Sequence, residues 1–206
     1  MMKKFLMVAS LLLASVSGFA QMNKGEWSII PRVGVNIATM SNWDDADCRI
    51  GLAIGAEAEY ALESNASLKF GAQYSQQGIK EDSGDAEMTI KMDYLNVPVM
   101  LNYYVSPKLA INVGLQPGIL VNDEAQVHAY GQTVSVGIKD ALNVVYDGGV
   151  STPDFVLGLP VGVTCVFGKV VLDARYVVGL TNACSVPGES TRHNVGQITI
   201  GYKFGL

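Results

Sequence analysis

The chain has 206 residues, 49% of them hydrophobic and only 16% charged, with a formal net charge of −5. The acidic balance, with no basic patch or basic stripe interleaved with aromatics, excludes nucleic acid as a partner. Mean hydropathy is +0.26, yet after the first twenty residues no run approaches the roughly 18 apolar residues of a membrane helix, so the hydrophobicity is dispersed along the chain.

Residues 1–20 read as a signal peptide. Lys3 and Lys4 supply the positive start, Phe5 to Ala14 the apolar stretch, and Gly18-Phe19-Ala20 the small residues before a cut at Gln21. Losing this segment removes two lysines and moves the net charge from −5 to −7. Residues 21–206 are then one exported domain.

Eight segments of that domain alternate apolar and polar with period 2, which is the pattern of β-strands. In chain order they are Trp27 to Ile37, Ile50 to Ala61, Leu68 to Gln77, Asp93 to Val105, Leu109 to Val121, Phe155 to Val166, Val170 to Leu180 and Asn194 to Leu206. Each is as long as a tilted membrane strand of about 9–11 residues, or slightly longer. Short turns (62–66, 106–108, 167–169) alternate with long polar stretches (38–49, 78–92, 122–154, 181–193). Short turns on one side and long loops on the other predict an all-β, eight-stranded, antiparallel up-and-down transmembrane β-barrel with both termini on the short-turn side. A soluble barrel also alternates, but its apolar face points inward. Here one face is bulky and apolar while the other is rich in glycine and carries both signs of charge. The expectation is therefore lipid outside and a narrow polar lumen inside.

That parity sends Arg32, Lys69, Arg175 and Lys203 inward together with Glu57, Glu59 and Asp173. Charges in so confined a space must pair. The expectation is a lumen filled by side chains and not a general pore. The last strand carries Thr199, Gly201, Phe204 and Leu206, a polar-x-Gly-x-x-aromatic-x-hydrophobic ending of the kind read by barrel-assembly machinery.

Asp93-Tyr94-Leu95-Asn96-Val97-Pro98-Val99-Met100-Leu101-Asn102-Tyr103-Tyr104, then a turn and Leu109-Ala110-Ile111-Asn112-Val113-Gly114-Leu115-Gln116-Pro117-Gly118, resembles the PorT-like outer-membrane β-barrel family common in Bacteroidota. Asp154 to Gly158 and Asp173 to Asn182 resemble that family's closing half. The resemblance implies a bacterial outer-membrane location, an eight-stranded barrel, no catalytic residues and no cofactor. PorT itself belongs to a secretion and gliding apparatus, which makes an accessory role in such a machine an alternative to a structural, adhesion or interaction role.

A rim-located lipid-modifying enzyme is the other alternative, with His193, Ser190 and Glu189 as the residues to inspect. The acidic stretches Asp44, Asp45, Asp47 and Glu81, Asp82, Asp85, Glu87 lack the spacing of a calcium loop, so no metal is expected. Cys48 and Cys184 fall in the first and last long loops, which barrel closure makes neighbours, so a disulfide between them is expected. Cys165 is expected to face lipid. Glu124 to Tyr130 and Thr133 to Ile138 alternate around Gly131 and read as a hairpin reaching beyond the membrane, where a protein partner would dock.

Overall fold

The computed structural model describes residues 23–41, 47–82, 86–129, 132–138, 152–186 and 189–206. The expected signal peptide, and with it the cleavage point, lies outside these residues.

The chain forms β1 (Trp27–Met40), β2 (Asp47–Glu63), β3 (Ala66–Asp82), β4 (Ala86–Asn96), β5 (Val99–Ser106), β6 (Leu109–Ala129), β7 (Gln132–Val136), β8 (Phe155–Phe167), β9 (Val170–Gly179), β10 (Cys184–Val186), β11 (Glu189–Thr191), β12 (His193–Tyr202) and β13 (Phe204–Gly205). The pairings are antiparallel, and eight strands follow one another around a ring: β1, β2, β3, then β4 continued by β5, then β6, β8, β9, and β12 continued by β13; β7 pairs with β6 off this ring, and β10 with β11. β1 pairs with both β2 and β12, from Met40↔His193 down to Arg32↔Gly201, and so closes an eight-strand barrel. The Leu206 amide donates to the Trp27 carbonyl at 2.9 Å, which places both ends of the barrel at the short-turn rim.

The sidedness is inverted relative to a soluble protein. Along β1, Val33 and Val35 are about half exposed (44% and 46%), while Arg32 between its neighbours is 4% exposed. The same holds around the ring: Leu101, Ile111, Val163 and Ile198 face out, and Lys69, Asn112, Thr164 and Gln197 are buried. A soluble barrel would bury the first set, so the outer surface is the lipid surface. From Trp27 to Ile37 this surface runs about 34 Å along the strand, which a tilt near 40° reduces to about 25 Å, the height of an outer-membrane apolar band. Its lower edge is aromatic. Trp27 packs on Tyr60 at 4.8 Å and edge-on to Phe70 at 6.0 Å, and Tyr202 packs on Phe204 at 4.7 Å.

The structure corrects the sequence reading in three places. The fourth strand is two pieces, β4 and β5, because Pro98 has no N–H to give the ladder. Val97 bonds Pro117 instead, at 2.8 Å. Next, most of the polar stretch 78–92 is not loop, since β3 and β4 pair from Gln73↔Asn96 up to Asp82↔Glu87. Finally, β6 runs on to Ala129 and pairs with β4 as far as Ala86↔Ala129 and with β7 as far as Ala129↔Gln132. The expected hairpin exists, and it belongs to a four-stranded extension, β3-β4-β6-β7, standing above the lipid band.

Above the band the faces exchange character. Ile79, Ile90, Met92, Tyr94 and Ala125 point inward and form a buried cluster with Met40 and Ile138. Outside, Lys91 meets Glu124 at 3.7 Å. On β6 the exchange uses an irregularity. Tyr94 pairs with Leu120 but Asp93 pairs with Asn122, so Val121 is one residue extra. That residue moves the odd positions from the lipid face (Ile111, Val113, Leu115) to the inner face, where Ala125 is buried.

Candidate functional site in the barrel lumen

The seven inward charges expected from the sequence are all in the lumen, in two groups. The larger joins five residues from β1, β2, β3 and β9. Arg32 donates to Glu57 and lies 3.5 Å from Asp173. Arg175 donates through Nη1 to Glu57 at 3.0 Å and through Nε to Asp173 at 2.6 Å. Lys69 stands 3.6 Å from Asp173 and 4.0 Å from Glu57. Thr164 ties the group to the wall: its hydroxyl donates to Asp173 at 2.7 Å and accepts from Lys69 at 3.2 Å and from Asn112 at 2.8 Å. Three cations surround two carboxylates, so one positive charge is in excess.

Small residues make room for these side chains. A Cβ on Gly71 would meet the Ala56 carbonyl at 2.1 Å and Cγ of Glu57 at 2.9 Å, and one on Gly162 the Ala174 carbonyl at 2.4 Å and Cβ of Arg175 at 2.7 Å. These two glycines therefore admit both the close approach of the neighbouring strand's backbone and the long charged side chain beside it.

The second group lies nearer the termini. Lys203 donates to Glu59 at 2.8 Å. Ser67 (2.5 Å), Tyr104 (2.7 Å) and Asn102 (3.3 Å) complete the shell of the same carboxylate. Above the larger group lies a belt of neutral side chains. Gln73 donates to Gln197 at 3.2 Å, Gln197 to Asn36 at 2.7 Å, Asn36 to Ser75 at 2.9 Å, and Gln77 to Ser75 at 3.0 Å. Sequence reasoning found the charges and missed this belt. The signal was present, because Asn36, Gln73, Ser75 and Gln197 occupy the same inward parity as the charges.

Two further polar pairs were not anticipated. Tyr94 and His193 are buried at the far end of the lumen with Oη and Nε2 3.1 Å apart. On the outward side, where the lipid band ends, Arg49 meets a buried Asp93 at 3.1 Å, and Tyr74 (2.9 Å) and Asn122 (3.2 Å) donate to the same carboxylate.

The other sequence candidates fall as follows. His193 faces into the lumen toward Tyr94, whereas Ser190 is exposed and bonds Ser185 at 3.3 Å across the β10–β11 hairpin. These two do not form a nucleophile–base pair in this structure. His128 is exposed and bonds Thr133 at 2.8 Å across the β6–β7 hairpin. Asp44, Asp45 and Asp85 lie outside the described residues, and among those described no group of three or more His, Cys, Asp or Glu converges to hold a metal. Thr199 is buried, while Phe204 and Leu206 stand exposed at the rim that carries both termini.

The Cys48–Cys184 disulfide is not formed: Cys48, Cys165 and Cys184 are all free thiols. Cys48 sits exposed on β2 opposite Ile79, whereas Cys184 is part of the short β10–β11 hairpin opposite Thr191 and is half-buried. Neighbouring loops do not by themselves bring Cα atoms within the roughly 7 Å that a disulfide requires. A membrane-impermeant maleimide is accordingly expected to label Cys48 on intact cells and to leave Cys165 unlabelled. Equal gel mobility with and without reductant is expected alongside it; a reductant-sensitive shift would restore the disulfide.

The comparisons with known proteins agree with this architecture. Residues 19–185 match the family model described as outer membrane protein beta-barrel domain. Among solved structures, Ail, the attachment invasion locus protein of Yersinia pestis, superposes with a TM-score of 0.50 at 14% identity, over 88% of this chain and 99% of Ail. Neisserial surface protein A gives 0.48 at 14% identity, over 86% and 97% of the two chains. Likeness at such identity speaks of fold alone. No curated protein matches the sequence. With the family model spanning most of the barrel and the lipid-facing surface described above, the chain belongs to the outer membrane protein beta-barrel domain family and resides in the bacterial outer membrane.

Proposed function

We propose that this protein is a closed barrel serving a structural, adhesion or interaction role, and that it acts through its extracellular sheet and not by conducting solutes. The observation carrying this reading is the lumen. Salt bridges and hydrogen bonds join different strands across it at three levels: the Glu59–Lys203 group, the five-residue charge group and the glutamine–asparagine belt. An eight-stranded barrel has an interior about wide enough for its own side chains, and here they occupy it. By contrast, β3, β4, β6 and β7 continue well beyond the lipid band. The eight residues Asn122–Ala129 of β6 alone add about 25 Å along the strand. Strand pairing invested outside the membrane presents a rigid surface where a mobile loop would have sufficed.

Two measurements test this. Purified protein in planar bilayers is expected to give no steady conductance. Replacing 124–138 by a short turn is expected to keep the heat-modifiable barrel while abolishing whatever surface binding intact cells show. A stable ohmic channel from the wild type would overturn the closed-lumen reading. Unchanged binding after hairpin removal would overturn the assignment of function to the extension.

A further inference from the structure

Between the glutamine–asparagine belt and the extracellular mouth, the lumen contains a cleft. Its walls include Val156, Leu157, Val177 and Val195, and its polar lining includes Asn96, Gln116 and His193. The cleft is narrow, about 340 Å³ even when space open to solvent is counted. It therefore admits the end of a small molecule and no more. Gly158 and Gly179 leave this space: a Cβ on Gly158 would meet Val177 at 2.6 Å, and one on Gly179 would meet the His193 carbonyl at 2.5 Å.

Three polar side chains of the lining, each more than nine-tenths buried, carry an atom with no hydrogen-bond partner: Asn96 Nδ2, Gln116 Oε1 and His193 Nδ1. Buried polar atoms are nearly always paired, so three around one cleft mark a place made for a polar group. Their chemistry limits what that group is. Asn96 Nδ2 is a donor and Gln116 Oε1 an acceptor. Tyr94 Oη and His193 Nε2 lie 3.1 Å apart; we assign the hydroxyl as donor, a phenol O–H meeting a neutral imidazole, so that Nδ1 carries the ring proton and is a second donor. Among the described residues no charged side chain lines the cleft, so an ion entering it would find no counter-charge there.

We propose that this cleft is a binding site for a small neutral carboxamide. The carbonyl oxygen accepts from Asn96 and His193 and the amide N–H donates to Gln116, with only the amide end of the molecule inside the cleft. A carboxamide supplies the acceptor and the donor that the three unpaired atoms need. A carboxylate of the same shape supplies no donor and brings an unpaired charge.

The test uses the full-length mature barrel refolded in detergent micelles and titrated with acetamide while NMR follows the Asn96 and Gln116 side-chain amides and the His193 ring. Saturable shifts at all three are expected, with none from acetate at the same concentrations. Gln116→Leu, which removes the acceptor while keeping the bulk, is expected to weaken acetamide about tenfold; its heat-modifiable mobility reports that the barrel is intact. Equal shifts from acetate, a non-saturating drift, or contacts from these groups to water with no acetamide response would each overturn the proposal. The acetate comparison requires no variant and decides the matter even if Gln116→Leu fails to fold.

Discussion

Asp173→Asn is expected to lower the unfolding free energy by about 3–5 kcal/mol, because it leaves buried cations without their counter-charge. The carboxylate is shared: Arg175 holds it at 2.6 Å, Thr164 at 2.7 Å, Arg32 at 3.5 Å and Lys69 at 3.6 Å. Without it, Arg32, Lys69 and Arg175 face Glu57 alone, and the excess positive charge in the group rises from one to two. Lys69→Met provides the contrast. It removes the surplus charge, retains an apolar stem of similar length, and leaves two cations against two carboxylates. Its expected cost is within about 1 kcal/mol, since replacing a buried ion by an apolar group is often neutral. Urea unfolding in detergent, followed by heat-modifiable mobility, separates the two variants. Equal losses would show that packing, and not charge balance, fixes the lumen. The group is enclosed, so neither value is expected to change much between low and high salt.

The second large effect tests the outer surface. Val113 faces out near the middle of the band on β6 and is 45% exposed. Val113→Arg is expected to cost about 2–4 kcal/mol in a bilayer, the usual penalty for a cation at the midplane. Val134 is more exposed, at 59%, but lies on β7 outside the lipid. Val134→Arg is expected to stay within about 0.5 kcal/mol, as an ordinary surface change does. Comparable small effects at both positions would mean that Val113 meets water and that the lipid band is misplaced.

Much of the barrel was legible in the sequence because a two-sided sheet writes its faces at every second residue. Val33, Val35 and Ile37 against Arg32 and Asn36 are enough to place β1 and its orientation. Strand lengths and the alternation of short and long connections gave the count. The inward charges followed from parity alone, and all seven are in the lumen.

The extension above the membrane was missed because its polarity is reversed. Ile90, Met92 and Tyr94 share the inward parity of Asn96 on the same strand, so a reading that equated apolar with outward broke β4 at Asp93. On β6 the extra residue Val121 exchanges the faces, and in the sequence it shows only as the apolar run Ile119-Leu120-Val121 followed by Asp123 at an odd position. A register irregularity is a relation between two strands, so a short break in alternation on one of them does not by itself say that the faces have been exchanged. Pro98 did leave a mark, and its missing donor was the information needed to divide the fourth strand.

The sequence by itself determined the solvent of each face, because transfer of a side chain into lipid or into a narrow polar lumen depends on that side chain and its parity. Tertiary structure alone decided the partners. Glu57 and Asp173 lie far apart in the chain, and only ring closure through β1 and β12 brings them to the same arginines. Whether Cys48 meets Cys184, whether His193 faces Ser190 or Tyr94, and whether Asn96, Gln116 and His193 border one cleft are likewise set by register and curvature, which are properties of strand pairs and not of any single segment.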